Sequence, residues 1–145
     1  MSKRAEKKPD LYCAYLKYKR NTLFLENIDC RELAKKYGTP LYCYSINEIK
    51  DKFSEFKNII SEFDASIHYA MKANFNPKVI SLLNEMGAGV DVVSKGEIEL
   101  AIQEGVKPSK IVFSGVGKTH EEIEFAIKKN IYQINVESEE EIDEI

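Results

Sequence analysis

The chain has 145 residues, 43% of them hydrophobic and 31% charged, which is the composition of a globular protein rather than of a disordered or fibrous one. Its formal net charge of −3 argues against a dedicated nucleic-acid-binding protein, which normally shows a basic surface. No apolar run is long enough to cross a bilayer, and no apolar signal segment follows the basic N-terminus. We therefore expect a cytoplasmic protein with no membrane or nucleic-acid partner.

The three cysteines, Cys13, Cys30 and Cys43, are odd in number and widely spaced. Because the sequence has no CxxC pair, it offers neither a zinc knuckle nor a thioredoxin-type motif, and we expect reduced, structural thiols. The two histidines, His68 and His120, are too isolated to suggest a metal site. We therefore predict no bound metal.

The ends of the chain carry opposite charges. Residues 1–20 are rich in Lys and Arg, and we expect a solvated, poorly ordered terminus there. Residues 137–145 are rich in acids and contain no base, while Ile142 and Ile145 stand three apart. This last pattern predicts the start of an acidic helix.

Between these ends the chain repeats a unit of one short apolar segment followed by a helical pattern. The segments VDVV and IVF are apolar on nearly both faces, as in a buried parallel sheet. Alternating strands and helices predict βαβ units with right-handed crossovers. The expected strands are residues 66–71, 90–93, 111–115 and 132–136.

Helix starts and stops are well marked in the sequence. A serine or threonine followed three residues later by glutamate is typical of a capping box, in which each side chain accepts a hydrogen bond from the other residue's backbone N–H. Asn76 followed by Pro77 marks a further helix start. Glycine or asparagine can take the left-handed conformation that ends a helix. The capping pairs are Ser45/Glu48, Ser94/Glu97, Thr119/Glu122 and Ser138/Glu141, with Asp29/Glu32 as a weaker pair, and the expected stops are Gly38, Gly87, Gly105 and Asn130.

Two architectures fit this α/β order: an open doubly wound sheet, or part of a (β/α)8 barrel. A complete barrel needs about 250 residues, so we do not expect this chain to close one. The sequence stops at Ile145, inside a helix that has just begun, and we expect a fragment of a longer protein or a truncated gene product. In both architectures an active site would lie beyond the carboxyl ends of the strands.

Lys72 is the most informative candidate for chemistry. It follows the apolar segment HYAM and precedes the loop ANFNP, so its stem would leave a packed sheet while its amine reaches the mouth of a pocket. Partial burial would favour the neutral, nucleophilic amine, which suits a Schiff base with an aldehyde or another carbonyl. A surface lysine at a strand end is the competing interpretation.

Asp91 lies among the apolar residues of VDVV, where a carboxylate is costly unless it is paired. We expect it to meet a cation or a hydrogen-bond donor, either in a site or in a structural ion pair. Glu97 is accounted for by its capping-box spacing. Residues 115–119, GVGKT, are not a P-loop, because Val112 stands where that motif requires its first glycine. We interpret them as a tight turn between a strand and a helix.

The residues around Lys72, SIHYAMKAN, resemble the Tyr-Ala-x-Lys-Ala-Asn stretch of the pyridoxal-phosphate-dependent amino-acid decarboxylases with an alanine-racemase-like barrel. Further segments are similar to the same family: RELAKKYGTPLYCYS upstream, and MGAGVDVVSKGEIELAIQEGV, IVFSGVGKTHEEIEFAI and INVESEEEI downstream. The stretches FSGVGKT and NVESEEE favour the diaminopimelate-decarboxylating branch over the ornithine and arginine branches. The resemblance covers residues 23–145.

The resemblance implies that Lys72 forms the Schiff base with the cofactor pyridoxal 5'-phosphate. It places Asp91 near that cofactor and Glu97 at a further acidic position near the site. The activity it implies is decarboxylation of a small amino acid, meso-2,6-diaminopimelate, to L-lysine and carbon dioxide by a homodimer. Relatives that act on ornithine, arginine or carboxynorspermidine, and a non-catalytic barrel protein that carries pyridoxal phosphate, remain as alternatives.

The same resemblance divides the chain. Residues 21–46, including a strand at residues 41–44, would belong to a second, β-rich domain. Residues 47–145 would form the first half of the cofactor-binding barrel, with Lys72 at the end of its first strand. In the family the phosphate cradle, the histidine that stacks on the cofactor and the substrate-binding residues lie later in the chain. We therefore expect these 145 residues alone to be inactive.

Overall fold

The structure, a computed structural model, describes residues 13–145, and the chain divides after Glu55 into two compact units. The first unit contains a three-stranded antiparallel sheet in the order β1–β2–β3. Helix α1 follows this sheet directly, and the Asp29 carboxylate caps it by accepting from the Arg31 N–H. The bounds are β1 Leu16–Lys19, β2 Thr22–Leu25, β3 Ile28–Asp29, α1 Cys30–Tyr37 and α2 Ile46–Ile59.

The start of the chain differs from our expectation. Strand β1 pairs with β2 through a tight turn in which Arg20 and Asn21 have φ angles of 48° and 65°. Residues 16–19, which fall within the terminus that we expected to be poorly ordered, are thus part of a sheet. Basic composition concealed this strand, because lysines tolerate an exposed strand edge. Residues 1–12 lie outside the described residues.

Residues 41–44 are not a strand in this structure, although we expected one. No strand among residues 13–145 pairs with them, and an extended segment without a ladder partner does not become a strand. The division between the compact units also falls after Glu55 rather than after residue 46. The assignment of the earlier segment to a second, β-rich domain stays a prediction.

The second unit confirms the four expected strands, which form one parallel sheet in the order β4–β5–β6–β7. A doubly wound sheet reverses its strand order at a switch point, whereas a (β/α)8 barrel adds each strand beside the previous one. The sequential order therefore favours the barrel over the open sheet. The bounds are β4 His68–Ala70, α3 Pro77–Glu85, β5 Gly89–Val92, α4 Lys95–Gln103, β6 Ile111–Phe113, α5 His120–Lys128, β7 Gln133–Ile134 and α6 Glu139–Glu144, with 3₁₀ turns at Met71–Ala73 and Pro108–Lys110.

The core of the second unit lies on one face of this sheet. Alternate residues of β5 and β6 point into it and are almost wholly buried, and helices α3, α4 and α5 supply the facing side chains. The intervening residues, Asp91 and Val112, are only half-buried. Within the described residues, this second face of β5 and β6 is therefore less buried than the core face. The core includes Ile80, Val90, Val92, Ile98, Ala101, Ile111, Phe113 and Ala126.

The predicted helix ends are confirmed. Thr119 and Glu122 make both bonds of the capping box, whereas Ser94 and Ser138 cap their helices through the serine hydroxyl alone. Asn76 caps α3 in the same way, with Pro77 in the first turn. The expected stops have positive φ angles at Gly38, Gly87, Gly105 and Asn130.

Within residues 13–145, no helix combines the length and the apolar character that crossing a membrane requires. The same stretch holds no cluster of His, Cys, Asp and Glu side chains arranged to bind a metal ion.

Candidate functional site

The second face of the parallel sheet carries polar side chains and borders an open cavity of about 450 Å³. The strand register sets Asp91 beside Ala70 on one side and Val112 on the other, so residues from β4, β5 and β6 share this face. Ser114 and Asn135, which directly follow β6 and β7, also line the cavity. Polar groups from several strands are thus collected at the carboxyl ends, where parallel α/β folds place their sites.

Lys72 stands at this carboxyl edge, two residues after the end of β4. Its backbone is held on both sides: the Met71 side chain is fully buried, and the Tyr69 hydroxyl donates to the Asn74 carbonyl at 3.0 Å. Asn74 and Asn76 then lead into α3 through side-chain hydrogen bonds. Local structure therefore fixes where the Lys72 side chain starts.

The amine of Lys72 makes no hydrogen bond or ion pair with any described residue, and the residue is exposed. Lys72 lies at the edge of the sheet, as expected, and the partial burial of its amine stays a prediction. Burial of a side chain depends on what packs around it rather than on its place after a strand. Lys72 is thus an uncommitted primary amine, available to a carbonyl compound that enters this edge.

Asp91 is paired, as the cost of burying a carboxylate requires. The Ser114 hydroxyl donates to Asp91 Oδ1 at 2.5 Å, and Asn135 Nδ2 donates to the same serine oxygen at 2.9 Å. The partner is therefore a hydrogen-bond donor and not a cation. This chain of three side chains spans the carboxyl ends of β5, β6 and β7 and orients the aspartate from one side.

Glu97 has a local structural role. Its carboxylate accepts from the Val93 N–H at 2.8 Å, and its own N–H donates to the Ser94 hydroxyl at 3.2 Å. The Glu97 carboxylate thus accepts from Val93, the residue before the N-cap, and not from the N-cap residue Ser94 itself. The loop between β5 and α4 is so short that Val93 lies beside the first helical turn. No hydrogen bond among the described residues joins Glu97 to Asp91 or Lys72, and its place near a cofactor stays a prediction.

Lys118 and Glu141 form a buried ion pair that the sequence did not indicate. Their side chains are 1% and 9% exposed, and Lys118 Nζ lies 3.0 Å from Glu141 Oε1. Hydrogen bonds from the Glu137 N–H and then from Lys118 hold the pKa of the Glu141 carboxyl below its usual range. From the sequence, Lys118 was explained as part of a tight turn and Glu141 as part of a helix cap. Nothing in the sequence around either residue signals that they pair.

The two histidines belong to different elements, His68 to β4 and His120 to α5. His68 stacks on Tyr132 with ring centroids 5.9 Å apart, and its Nε2 lies 3.0 Å from the Ser66 hydroxyl. Its Nδ1 is buried and has no hydrogen-bond partner in the described part of the chain. His120 is exposed and pairs with Glu144. His68 thus lines the polar face of the sheet, at the amino ends of the strands and away from Lys72.

All three cysteines are free and line one apolar cavity of about 700 Å³ in the first unit. The Cys13 thiol donates to Glu48 Oε2 at 2.7 Å, and this bond raises the pKa of the thiol. A raised pKa disfavours the reactive thiolate. Cys13 therefore fits the reduced, structural thiol that the sequence predicted.

The residues at the carboxyl edge fit an aldehyde cofactor such as pyridoxal 5'-phosphate. A free primary amine can bond covalently to an aldehyde, and Lys72 supplies one on a fixed backbone. The polar face of the sheet offers the Asp91 carboxylate, to which the Ser114 hydroxyl donates. Lys72 follows strand β4, Asp91 lies in strand β5, and these two strands are adjacent in the sheet.

Comparisons with known proteins agree with this chemistry. The family model described as "Pyridoxal-dependent decarboxylase, pyridoxal binding domain" matches residues 32–145. Diaminopimelate decarboxylase of Aquifex aeolicus is 48% identical over 132 residues, which cover 91% of this chain and 31% of that protein. The Helicobacter pylori (strain J99) enzyme of the same name is 50% identical over 107 residues, covering 74% of this chain and 26% of that protein.

A solved structure of a diaminopimelate decarboxylase also resembles this chain. The crystal structure of diaminopimelate decarboxylase from M. jannaschii in complex with L-lysine matches with a TM-score of 0.82 at 39% identity. The match covers 91% of this chain and 32% of that one, so the chain spans about a third of the length of such relatives. The four parallel strands and their helices are thus part of a cofactor-binding (β/α)8 barrel. The chain belongs to the pyridoxal-dependent decarboxylase family, with residues 32–145 in its pyridoxal-binding domain.

Proposed function

We propose that the protein containing this chain decarboxylates meso-2,6-diaminopimelate to L-lysine and carbon dioxide. The observation that carries the proposal is the free amine of Lys72 at the carboxyl end of the first parallel strand. The relatives named diaminopimelate decarboxylase support this substrate, since they are 48% and 50% identical over most of the chain. The L-lysine bound in the M. jannaschii structure supports lysine as the product.

In this proposal Lys72 holds pyridoxal 5'-phosphate covalently through its amine, and Asp91 lies beside the cofactor on the neighbouring strand. The bound cofactor supplies an electron sink for the charge that remains when carbon dioxide leaves. Ser114 keeps the Asp91 carboxylate in one orientation by donating to it at 2.5 Å. The backbone around Lys72, held by Met71 and by the Tyr69 hydroxyl, would keep the starting point of this side chain fixed.

The substrate is tested by incubating the full-length protein with pyridoxal phosphate and separate amino acids. We expect L-lysine and carbon dioxide from meso-diaminopimelate, in equal amounts. Ornithine, arginine and carboxynorspermidine should react at least about tenfold more slowly, because a polar site rejects a substrate that leaves its groups unpaired. A preference for any of these three compounds would overturn the substrate assignment.

Lys72→Ala and Lys78→Ala form a matched pair for the same assay. Lys78 is also exposed, but it lies in the first turn of α3 instead of at the end of β4. We expect Lys72→Ala to abolish lysine formation and Lys78→Ala to retain it. A wild-type protein that binds pyridoxal phosphate but turns over none of these amino acids would instead be a non-catalytic cofactor carrier.

The resemblance also implies a homodimer, which we include in the proposal. Analytical ultracentrifugation of the full-length protein tests it, and a monomer at the concentration of the activity assay would contradict it.

A further inference from the structure

Lys118 is buried in a way that its sequence context, a glycine-rich turn, does not explain. Its side chain is 1% exposed, and its ammonium donates three hydrogen bonds. The acceptors are the Gly115 carbonyl at 2.7 Å, the Asn135 carbonyl at 2.7 Å and Glu141 Oε1 at 3.0 Å. An ammonium group has three donors, so every one of them is used inside the protein.

Two of these acceptors belong to the backbone directly beyond strands β6 and β7. Gly115 follows Ser114, which is the first residue after β6, and Asn135 is the first residue after β7. The third acceptor, Glu141, lies in α6 and also accepts from the Glu137 N–H at 2.7 Å. Lys118 therefore ties the carboxyl ends of two neighbouring strands to each other and to the helix that follows them.

The two strand ends that Lys118 ties carry the side chains that orient Asp91. Ser114 donates to Asp91, and Asn135 donates to Ser114. A shift of either strand end would lengthen these bonds, because each side chain starts from backbone that Lys118 fixes. Lys118 makes no hydrogen bond to Asp91 itself among the described residues, so any influence on the aspartate passes through the backbone.

We propose that Lys118 is a positioning residue of the cofactor site, whose buried ammonium fixes the ends of β6 and β7 and thereby holds Ser114 and Asn135 in the hydrogen-bond chain that orients Asp91. The role at the cofactor rests on the function proposed above. The fixing of the strand ends does not, because it concerns this chain alone.

The cost of burying a charge supports a geometric role. A buried ion pair is often no more stabilising than well-packed apolar residues of the same size, because both charges lose their hydration. Stability alone is therefore a weak reason for a buried ammonium here. Three directed hydrogen bonds to two loops and a helix fix relative positions, which apolar packing does not do with the same specificity.

The test uses the full-length protein with Lys118→Met, Lys118→Arg and Ser114→Ala, and with Lys128→Met as the matched control. Lys128 also pairs with a glutamate, Glu124, but on the exposed surface of α5. Two quantities are measured: the dissociation constant of pyridoxal phosphate for the apoprotein, and hydrogen exchange at single backbone amides. Lys118→Arg keeps the charge and Ser114→Ala removes one hydroxyl, so the test does not depend on the methionine variant folding.

The exchange measurement needs no catalytic activity. The Ser114 and Asn135 amides donate to the Val92 and Phe113 carbonyls at the carboxyl ends of the strands. The Tyr132 amide donates to the Ile111 carbonyl at the opposite end of the same sheet. In Lys118→Met and Lys118→Arg we expect the first two amides to exchange at least about tenfold faster, with Tyr132 unchanged, because only local opening is affected. Equal acceleration at all three amides, or none, would overturn the proposal.

The cofactor measurement tests the link to the site. We expect Lys118→Met and Lys118→Arg to weaken pyridoxal-phosphate binding by about tenfold or more, since displacement of supporting groups by a fraction of an ångström has effects of this size. Adding Ser114→Ala to either variant should weaken it little further, because both changes break the same chain. Lys128→Met should remain within about twofold of the wild type.

If the double variant weakened pyridoxal-phosphate binding by the product of the two single effects, Lys118 and Ser114 would act independently and the proposal would be contradicted. An unchanged dissociation constant in the Lys118 variants would also contradict it. Failure of the proposed function looks different, since the wild-type protein itself would then produce no lysine or bind no pyridoxal phosphate.

Discussion

The imidazole Nδ1 of His68 lies 2.6 Å from the point where a Cβ atom would stand on Gly89, and the Lys110 carbonyl oxygen lies 2.4 Å from the same point. Three neighbouring elements, β4, β5 and the turn before β6, thus meet around a residue that has no side chain. His68 and Gly89 are directly paired in the strand register. The amino ends of these strands are closely packed because this residue is glycine.

Gly89→Ala tests that packing. The added methyl group cannot fit without displacing a backbone carbonyl, so we expect the free energy of unfolding to fall by about 1–3 kcal/mol. Gly96→Ala is the matched control, because the nearest atom to a Cβ there, the Ser94 hydroxyl, is 4.0 Å away in an early helical turn. Denaturant titration of both variants should show a loss for the first and none for the second. Equal stability of the two variants would contradict this account.

Thr119 and Glu122 form the one complete capping box among the described helices. Thr119→Ala leaves the Glu122 N–H without its acceptor. We expect this substitution to lower the free energy of unfolding by about 0.5–2 kcal/mol. Thr119→Ser keeps the hydroxyl and should recover most of the loss. Thermal unfolding of the three proteins compares them, and a serine variant as unstable as the alanine variant would show that the hydroxyl is not what matters.

The Glu122 carboxyl should also make the stability of the protein depend on pH. Hydrogen bonds from the Thr119 N–H and then the Lys95 N–H hold the pKa of its carboxyl below the ordinary value of 4.5. Since the folded-state pKa is the lower one, the stabilisation is complete above the unfolded-state pKa and is lost as the pH falls through the folded-state pKa. Acidification from about pH 6 to pH 3 should therefore destabilise the wild type more than Glu122→Gln. If the free energies of unfolding of the wild type and of Glu122→Gln fell by the same amount over this pH range, Glu122 would not be the source of the pH dependence.

Local features were predictable from the sequence. Serine or threonine before a helix and glycine or asparagine after it act within one helical turn, so Thr119 and Asn130 behaved as their sequence neighbourhood indicated. The four parallel strands were also located, because each is a short apolar run between such signals.

Features that depend on distant residues were not predictable in the same way. Lys118 and Glu141 were each explained locally, yet they meet because β6, β7 and α6 converge at one edge of the sheet. Lys72 was correctly placed at the end of its strand, but its exposure depends on neighbours from elsewhere in the fold. The sequential strand order, which separates the barrel from the doubly wound sheet, likewise became known only from the pairing.

The most direct test of the central claim is to locate the amine that holds the cofactor. The full-length protein is loaded with pyridoxal phosphate, reduced with borohydride, digested and examined by peptide mass spectrometry. We expect the reduced cofactor on Lys72 in the wild type and in Lys78→Ala, and none in Lys72→Ala. A reduced cofactor on another lysine of the wild type, or its retention in Lys72→Ala, would contradict it.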